Sequence, residues 1–511
     1  MISLGKFTTL ILASVLPALS PVHAQEATPA AGGPSPAPME ESINLVFPPD
    51  PEAQKEKARI LAALKRVPAA DGENPEGEND RQPNIVLLLA DDLGYSESGI
   101  YGAADIPTPH IDALAEEGMR WTDAYVTAAI CSPSRAGILT GRYQQRFGFE
   151  FNIGDGEVVH RDHRGLDPAA ITMADVLQQA GYATGIFGKW HLGTQEHLQP
   201  QARGFDEFYG FLSAQHSSFP VKSEQPVYKT ILQGRSPVIE PDYLPDAIAR
   251  EAVKFITAHH DKPFFAYVPF NAPHKPIQAT QKYLDRFPDV KDQEQREYYA
   301  MISALDDAVG SIVTSLAGHD LTGKTLVIFL NDNGGTYFRG TKGNEPLRMG
   351  KIFLFEGGVR VPMIMKWPGN VPAGSVFSGL TSSLDIFPTV CAAAGIQLPG
   401  DLVLDGVDLM PFVEGTKQGS PHEILFWGNG PNMAVRKGSW KLIKSHDNAW
   451  LFDLSRDPGE RKNLAKERPD KVAELDGELA RWKSRMAEPA WPSRPKHAKI
   501  LIDGLEYELN N

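Results

Sequence analysis

The chain has 511 residues, enough for one large α/β domain plus a smaller one, each with an ample core. At 42% hydrophobic and 22% charged it has the composition of an ordinary globular protein. Its net charge of −14 argues against a protein that coats nucleic acid or an anionic membrane surface. The same charge repels an anionic substrate at long range, so local cations would have to overcome it.

The N-terminus reads as a signal peptide over residues 1–24. Lys6 supplies the positive charge, Phe7 to Leu19 the short apolar stretch, and Val22-His23-Ala24 a small-residue cleavage site before Gln25. This implies a periplasmic or secreted protein. No cysteine near the cleavage point suggests a lipid anchor, and no later stretch reads as a membrane span. Residues 25–83 read as a disordered or linker extension, rich in Ala, Pro, Gly and Ser at first. Within it, 52–66 can form a short helix ending before Pro68. The acidic run Asp71 to Asp80 is either a calcium loop or a solvated linker.

The main domain is expected over residues 84–420. Asn84 to Ala90 is a continuous apolar run, as in a strand covered on both faces. Further strands are expected at Ala183 to Phe187, Phe264 to Pro269, Leu326 to Leu330 and Pro362 to Trp367. Helical patterns lie between them at Pro109 to Glu117, Ile171 to Ala180, Leu244 to His259, Gln293 to Leu316 and Ser383 to Ala394. This alternation predicts an α/β fold: a large, mostly parallel sheet between helices, with ligands at the carboxyl ends of its strands. Residues 421–511 read as a smaller α+β subdomain. There, short strands at Ile424 to Trp427, Met433 to Arg436, Trp440 to Ser445 and Trp450 to Leu454 precede a helix over Pro469 to Met486.

Two polar pairs end apolar strands. Asp91 and Asp92 follow the first strand; adjacent carboxylates repel, and burying them is costly without a cation, although a helix N-cap is the plain alternative. Asp332-Asn333 precedes Gly334-Gly335, which is also ordinary turn chemistry. Oxygen donors of these kinds suit Ca²⁺ or Mg²⁺ better than zinc. No further Asp/His cluster with ligand spacing is evident. Of the two cysteines, Cys391 lies in an apolar helical run and reads as a small buried hydrophobe. The other, Cys131, opens the run Cys131-Ser-Pro-Ser-Arg135-Ala-Gly-Ile-Leu-Thr140-Gly-Arg142, where a helix start would set the thiol over free backbone N–H groups. Lys189 and His191 sit two apart in Gly188-Lys-Trp-His-Leu-Gly193, so in extended backbone they would face one way.

The run from Cys131 resembles the C-x-P-S-R-x-x-x-L-T-G-R signature of the formylglycine-dependent sulfatases of the alkaline phosphatase superfamily. The resemblance extends to Gly188–Gly193, to Ala272-Pro-His274-Lys-Pro276, to Lys351 with Glu356-Gly-Gly-Val-Arg360-Val-Pro362, and to Leu451-Phe-Asp-Leu with Asp457-Pro-Gly-Glu460 and Asn463-Leu464. It implies a sulfuric ester hydrolase related to arylsulfatases and to the N-acetylgalactosamine-6-sulfatases that act on polysaccharides. It further implies that a maturation enzyme oxidises Cys131 to formylglycine, whose hydrate is the nucleophile. Asp91, Asp92, Asp332 and Asn333 would hold one divalent cation, usually calcium with magnesium possible, which also touches the group at Cys131. Asn333 stands where two-metal phosphatases of the superfamily carry a histidine, which favours a single ion. Arg135 would hold the hydrate and offset the aspartates, Lys189 and Lys351 would bind sulfate oxygens, His191 would help take a proton, and His274 would serve the leaving alcohol. Glu356 and Arg360 would be structural. Phe353 and Phe355 depart from the small or hydroxylic residues common there, which predicts an altered pocket. The expected partner is a sulfated carbohydrate held by loops 146–164, 216–241 and 335–348. A phosphonate or phosphate monoester hydrolase using the same aldehyde, and an inactive glycan-binding homologue, are the alternatives. Replacing Cys131 by Ala should abolish turnover, whereas mass spectrometry of the peptide holding residue 131 should show the aldehyde in active protein; an unmodified thiol in fully active enzyme would overturn this role.

Overall fold

Burial of all seven residues of Asn84–Ala90 places this strand at the centre of a ten-stranded sheet. The computed structural model describes residues 46–48, 50–66, 82–154, 160–221, 226–336, 343–493 and 498–510. The expected leader and the acidic run 71–80 lie outside them. In chain order the strands are β1 (Asn84–Ala90), β2 (Met119–Trp121), β3 (Ala183–Lys189), β4 (Glu207–Phe211), β5 (Ile231–Gln233), β6 (Ser236–Val238), β7 (Phe264–Pro269), β8 (Thr325–Asn331), β9 (Met363–Lys366) and β10 (Ser375–Phe377). Across the sheet they run β10-β2-β9-β8-β1-β7-β3-β4-β5-β6. The five strands from β8 to β4 are parallel, while β9 and β5 are antiparallel to their neighbours.

Alternation along β1 feeds two separate cores. Ile85, Leu87 and Leu89 face α3 (Cys131–Thr140), α4 (Met173–Gln179) and α7 (Ile386–Ala393). Val86, Leu88 and Ala90 face α2 (Pro109–Glu116), α5 (Leu244–Ala258) and α6 (Gln293–Gly318). The expected α/β sandwich is therefore present. By length and hydropathy α6 is able to cross a membrane, contrary to the sequence reading, but 67% of its apolar window is buried inside this protein. Cys131 and Cys391 are both free and buried.

Beyond the main sheet, β11 (Ile424–Asn429), β12 (Asn432–Lys437), β13 (Trp440–Ser445) and β14 (Asn448–Asp453) form an antiparallel meander. The helix α8 (Pro469–Lys483) covers it through Leu475, Leu479 and Trp482, with Trp482 stacked on Phe426 at 5.4 Å. A hairpin of β15 (Lys499–Ile502) and β16 (Leu505–Glu508), absent from the sequence reading, adds Tyr507 to a neighbouring core.

Within the extension, the helix expected over 52–66 forms, from Pro51 to Ala62. The helix α1 (Pro51–Ala62) is capped by Asp50, whose side chain accepts from Glu52 N and Ala53 N. Ile60 and Leu61 pack on the main core, and Lys65–Arg66 pair with Ile396–Gln397. Lys57 is buried, with Nζ 2.7 Å from Asp175. Burial draws the Lys57 ammonium down to about 8 despite Asp175 beside it. A lone charge left in such a site is costly. Lys57→Met should therefore destabilise the protein by about 3 kcal/mol in urea unfolding, while Lys55→Met, at an exposed pair, should change little.

Candidate active site

The parallel strands deliver their side chains to one rim of the sheet. Asp91 and Asp92 follow β1, Asp332 and Asn333 follow β8, His274 lies beyond β7, and Lys189 ends β3. Main-chain bonds lock these ends together, Asp91 N donating to Ala272 O at 3.1 Å and Asp332 N to Ala90 O at 3.2 Å. Neighbours in a strand face opposite ways, but Asp92 has φ of 68°, so its carboxylate turns into the same site as that of Asp91. The side chain of Asn331 holds this bend, accepting from Leu93 N and donating to Leu93 O.

Cys131 is the first residue of α3, a helix buried along its entire length and ended by Gly141 at φ 63°. Its Sγ lies 3.6 Å from Asp91 and 4.0 Å from Asp92. One turn on, Arg135 is completely buried. Its Nε donates to Asp332 at 2.9 Å, its terminal nitrogen lies 3.6 Å from Asp91, and its other arm donates to Lys189 O at 3.0 Å. Asn152, which the sequence reading did not single out, accepts from both the N–H and the hydroxyl of Ser132 at 3.1 Å and so steadies the helix start.

Lys189 Nζ donates to Asp91 at 2.7 Å. Lys351 Nζ lies 2.7 Å and 2.9 Å from the two oxygens of Asp92 and 3.1 Å from Cys131 Sγ. His274 Nε2 is 3.7 Å from Asp92, while its Nδ1 donates to Lys275 O at 2.7 Å. His191 joins the group by another route than alternation. Its φ is 56° and that of Gly188 is 129°, so the backbone is not extended here. Among the described residues neither ring nitrogen of His191 has a partner, although it is buried. Lys351 and His274, with side chains 14% and 8% exposed, stand nearest solvent and mark the mouth.

Three carboxylates thus face Arg135, Lys189 and Lys351 in a buried space. Burial works to raise the Asp92 carboxyl, but Lys351 and His274 hold it below the usual range. Asp332 goes the other way, to about 6, because burial and the charge of Asp91 outweigh Arg135. Burial lifts the Cys131 thiol to about 12, so the unmodified sulfur is a poor nucleophile at neutral pH. Burial and the adjacent lysines keep both His191 and His274 well below their ordinary value.

The carboxylate oxygens suit a hard cation. Asp91 and Asp92 gather with Cys131 and His274, each bringing an atom to within 4.8 Å of the others, in a group that does not include Asp332. Asn333 Nδ2 donates to Asp92 at 2.8 Å, leaving its Oδ1 buried and unpartnered among the described residues. A second group, His110, Asp306 and Asp307, is assembled by the fold from distant segments and was not apparent in sequence. It is otherwise engaged, because Asp306 accepts from His110 N and Ile111 N and Asp307 pairs with Arg286. Phe353 and Phe355 do not shape the pocket as expected. Both are fully buried, with rings against Tyr507, and Phe355 also against Trp450 and Phe452.

A cavity of about 410 Å³ is lined by residues including His216, Phe219, Lys229, Val238 and Ile239. Ser218, also in its wall, accepts from Asn271 at 3.0 Å, three residues before His274.

Comparison with known proteins agrees with this geometry. A profile described as sulfatase matches residues 83–396, and one described as N-sulphoglucosamine sulphohydrolase, C-terminal, matches 348–485. Arylsulfatase A of Bos taurus is 36% identical over 75% of this chain and 83% of its own length. The N-acetylgalactosamine-6-O-sulfatase of Bacteroides thetaiotaomicron is 30% identical over 84% of this chain and its whole length. The crystal structure of Ps i-CgsB with k-i-k-neocarrahexaose superposes with a TM-score of 0.75, at 35% identity over 80% of this chain and 95% of that one. The chain belongs to the sulfatase family and is a sulfuric ester hydrolase.

Because Arg135 is the fully buried partner of Asp332, Arg135→Met should lower the unfolding free energy by about 3–5 kcal/mol. Arg135→Lys should recover only part of this, since an ammonium cannot reproduce the fork; equal stability of all three proteins in chemical denaturation would refute the pairing.

Proposed function

We propose that this sulfatase removes sulfate from a sulfated carbohydrate outside the cytoplasm, using formylglycine made from Cys131 by a maturation enzyme and one bound calcium ion, with magnesium the alternative. The observation that carries the reading is the meeting of Cys131, three carboxylates and three cations within one buried site. Asp91, Asp92, Asp332 and Asn333 would hold the cation, which supplies positive charge against a sulfate oxygen when bound. Formylglycine at 131 would supply, as its hydrate, one hydroxyl to attack sulfur and a second to let sulfate leave.

The chain's own residues do the rest. Lys189 and Lys351 turn from their aspartates to donate to sulfate oxygens, favouring charge that grows in the transition state. His191, neutral and unpartnered, takes a proton from the hydroxyl at 131. His274 donates through Nδ1 to Lys275 O, so its neutral ring has a bare Nε2. The approaching sulfate anion favours protonation there, and the charged ring then passes that proton to the leaving alcohol. Loops 146–164, 216–241 and 335–348 would hold the sugar, and the 410 Å³ cavity lined by residues of the second is a candidate subsite. The carbohydrate reading draws on the named sugar in the Ps i-CgsB complex and on the named activity of the Bacteroides relative.

Matured, calcium-loaded protein should release inorganic sulfate from at least one member of a panel of defined sulfated oligosaccharides, and act far more slowly on an aryl phosphate. Phosphate release at equal or greater rate would favour the phosphohydrolase reading instead. Calcium should also raise the thermal midpoint of wild type. That rise should shrink in Asn333→Ala; an identical shift in both would remove Asn333 from the ligand set.

A further inference from the structure

The lysine nearest the mouth stands on a loop that has little regular structure of its own. Residues 348–356 carry Lys351 between two positive-φ residues, Met349 at 61° and Ile352 at 75°. Two of its amides are spent on other segments, Lys351 N on Gly335 O at 2.9 Å and Ile352 N on Ala129 O at 2.7 Å. The ends of the loop meet where Gly357 N donates to Arg348 O at 2.8 Å. One residue of the C-terminal region touches both ends. Glu460 is fully buried at φ 53°. Its main-chain oxygen accepts from Arg348 at 2.7 Å, and its carboxylate accepts from Glu356 N at 2.7 Å.

We propose that Glu460 is a positioning residue for Lys351, closing the base of the 348–356 loop so that the ammonium stands over Cys131. This rests on the reading of Lys351 as a sulfate ligand. The surroundings show why a carboxylate is tolerated there. Lys441, fully buried, lies 2.8 Å from Glu356 and 3.1 Å from Glu460. Glu356 also receives the Tyr125 hydroxyl at 2.6 Å and lies 3.4 Å from Arg360, with Arg436 and Asp123 beyond. Arg348 is held on its far side by Asp503 at 2.8 Å, and the Tyr507 hydroxyl accepts from Leu354 N at 3.2 Å. Burial raises the Glu460 carboxyl to about 7, Lys441 opposing and Glu356 adding to the rise. The carboxylate's charge is thus poorly supported there, so removing it with an amide costs less than shortening the side chain.

Two conservative variants separate the clamp from mere neutralisation of Lys441. Glu460→Gln keeps the reach to Glu356 N and loses the charge; Glu460→Asp keeps the charge and loses the reach. On the full-length matured enzyme with calcium, kcat/KM should fall about 10- to 100-fold in the Asp variant and less than about threefold in the Gln variant. In a Lys351→Ala background the difference between them should vanish. Hydrogen exchange at amides 349–357 should speed up in Glu460→Asp alone, a readout that stands whether or not the substrate has been identified. Unchanged exchange in the Asp variant, or equal or greater exchange in the Gln variant, overturns the proposal. Absence of sulfate release from every ester would instead sink the sulfate role of Lys351 and leave exchange to decide the clamp.

Discussion

The site depends on keeping carboxylates charged where water is scarce. Asp91 and Asp332 are fully buried and Asp92 nearly so. Alone, such groups would take up protons or unfold the rim. Arg135, Lys189 and Lys351 counter this, each bonded to a different aspartate at 2.7–2.9 Å, although Asp332 is still raised. The same arrangement answers the problem set by a net charge of −14. Long-range repulsion of an anion matters less when the last few ångströms are lined by ammonium groups, because their field is strong where the dielectric is low.

Each cation has its own support, which makes the balance stiff. Arg135 is fixed by a buried helix, and Lys189 by a central strand. Lys351 is different, because its loop relies on contacts from the far end of the chain. Phe353 and Phe355 root that loop in the aromatic core with Trp450, Phe452 and Tyr507, and Glu460 ties its base. The C-terminal sheet is therefore part of the framework of the active site as well as its neighbour.

Much of this was readable from the residues. Strands covered on both faces show as unbroken apolar runs, so β1, β3, β7, β8 and β9 were foreseen nearly to the residue. The site motifs stood out because polar residues ended those runs abruptly. What escaped had no local signal. The strands β2, β5, β6 and β10 have only three residues each, too few for a periodicity to show. The left-handed backbone of His191 goes with long-range main-chain bonds, Trp190 N donating to Phe211 O and His191 N to Leu212 O, which no dipeptide reveals. The phenylalanines looked like pocket residues because their motif lines the site, yet side chains in a loop can turn either way. Glu460 lay within a quoted motif, but its partner Glu356 N is more than a hundred residues away.

The burial of Cys131 has a consequence for biosynthesis. With 2% of its surface accessible at the head of a buried helix, its sulfur is beyond the grasp of another protein once α3 has seated. An enzyme that oxidised it, as proposed above, would have to meet this stretch as loose chain, before α3 packs. On that proposal the fold would set a deadline, because a molecule that closed first would keep a buried thiol that only unfolding could expose again.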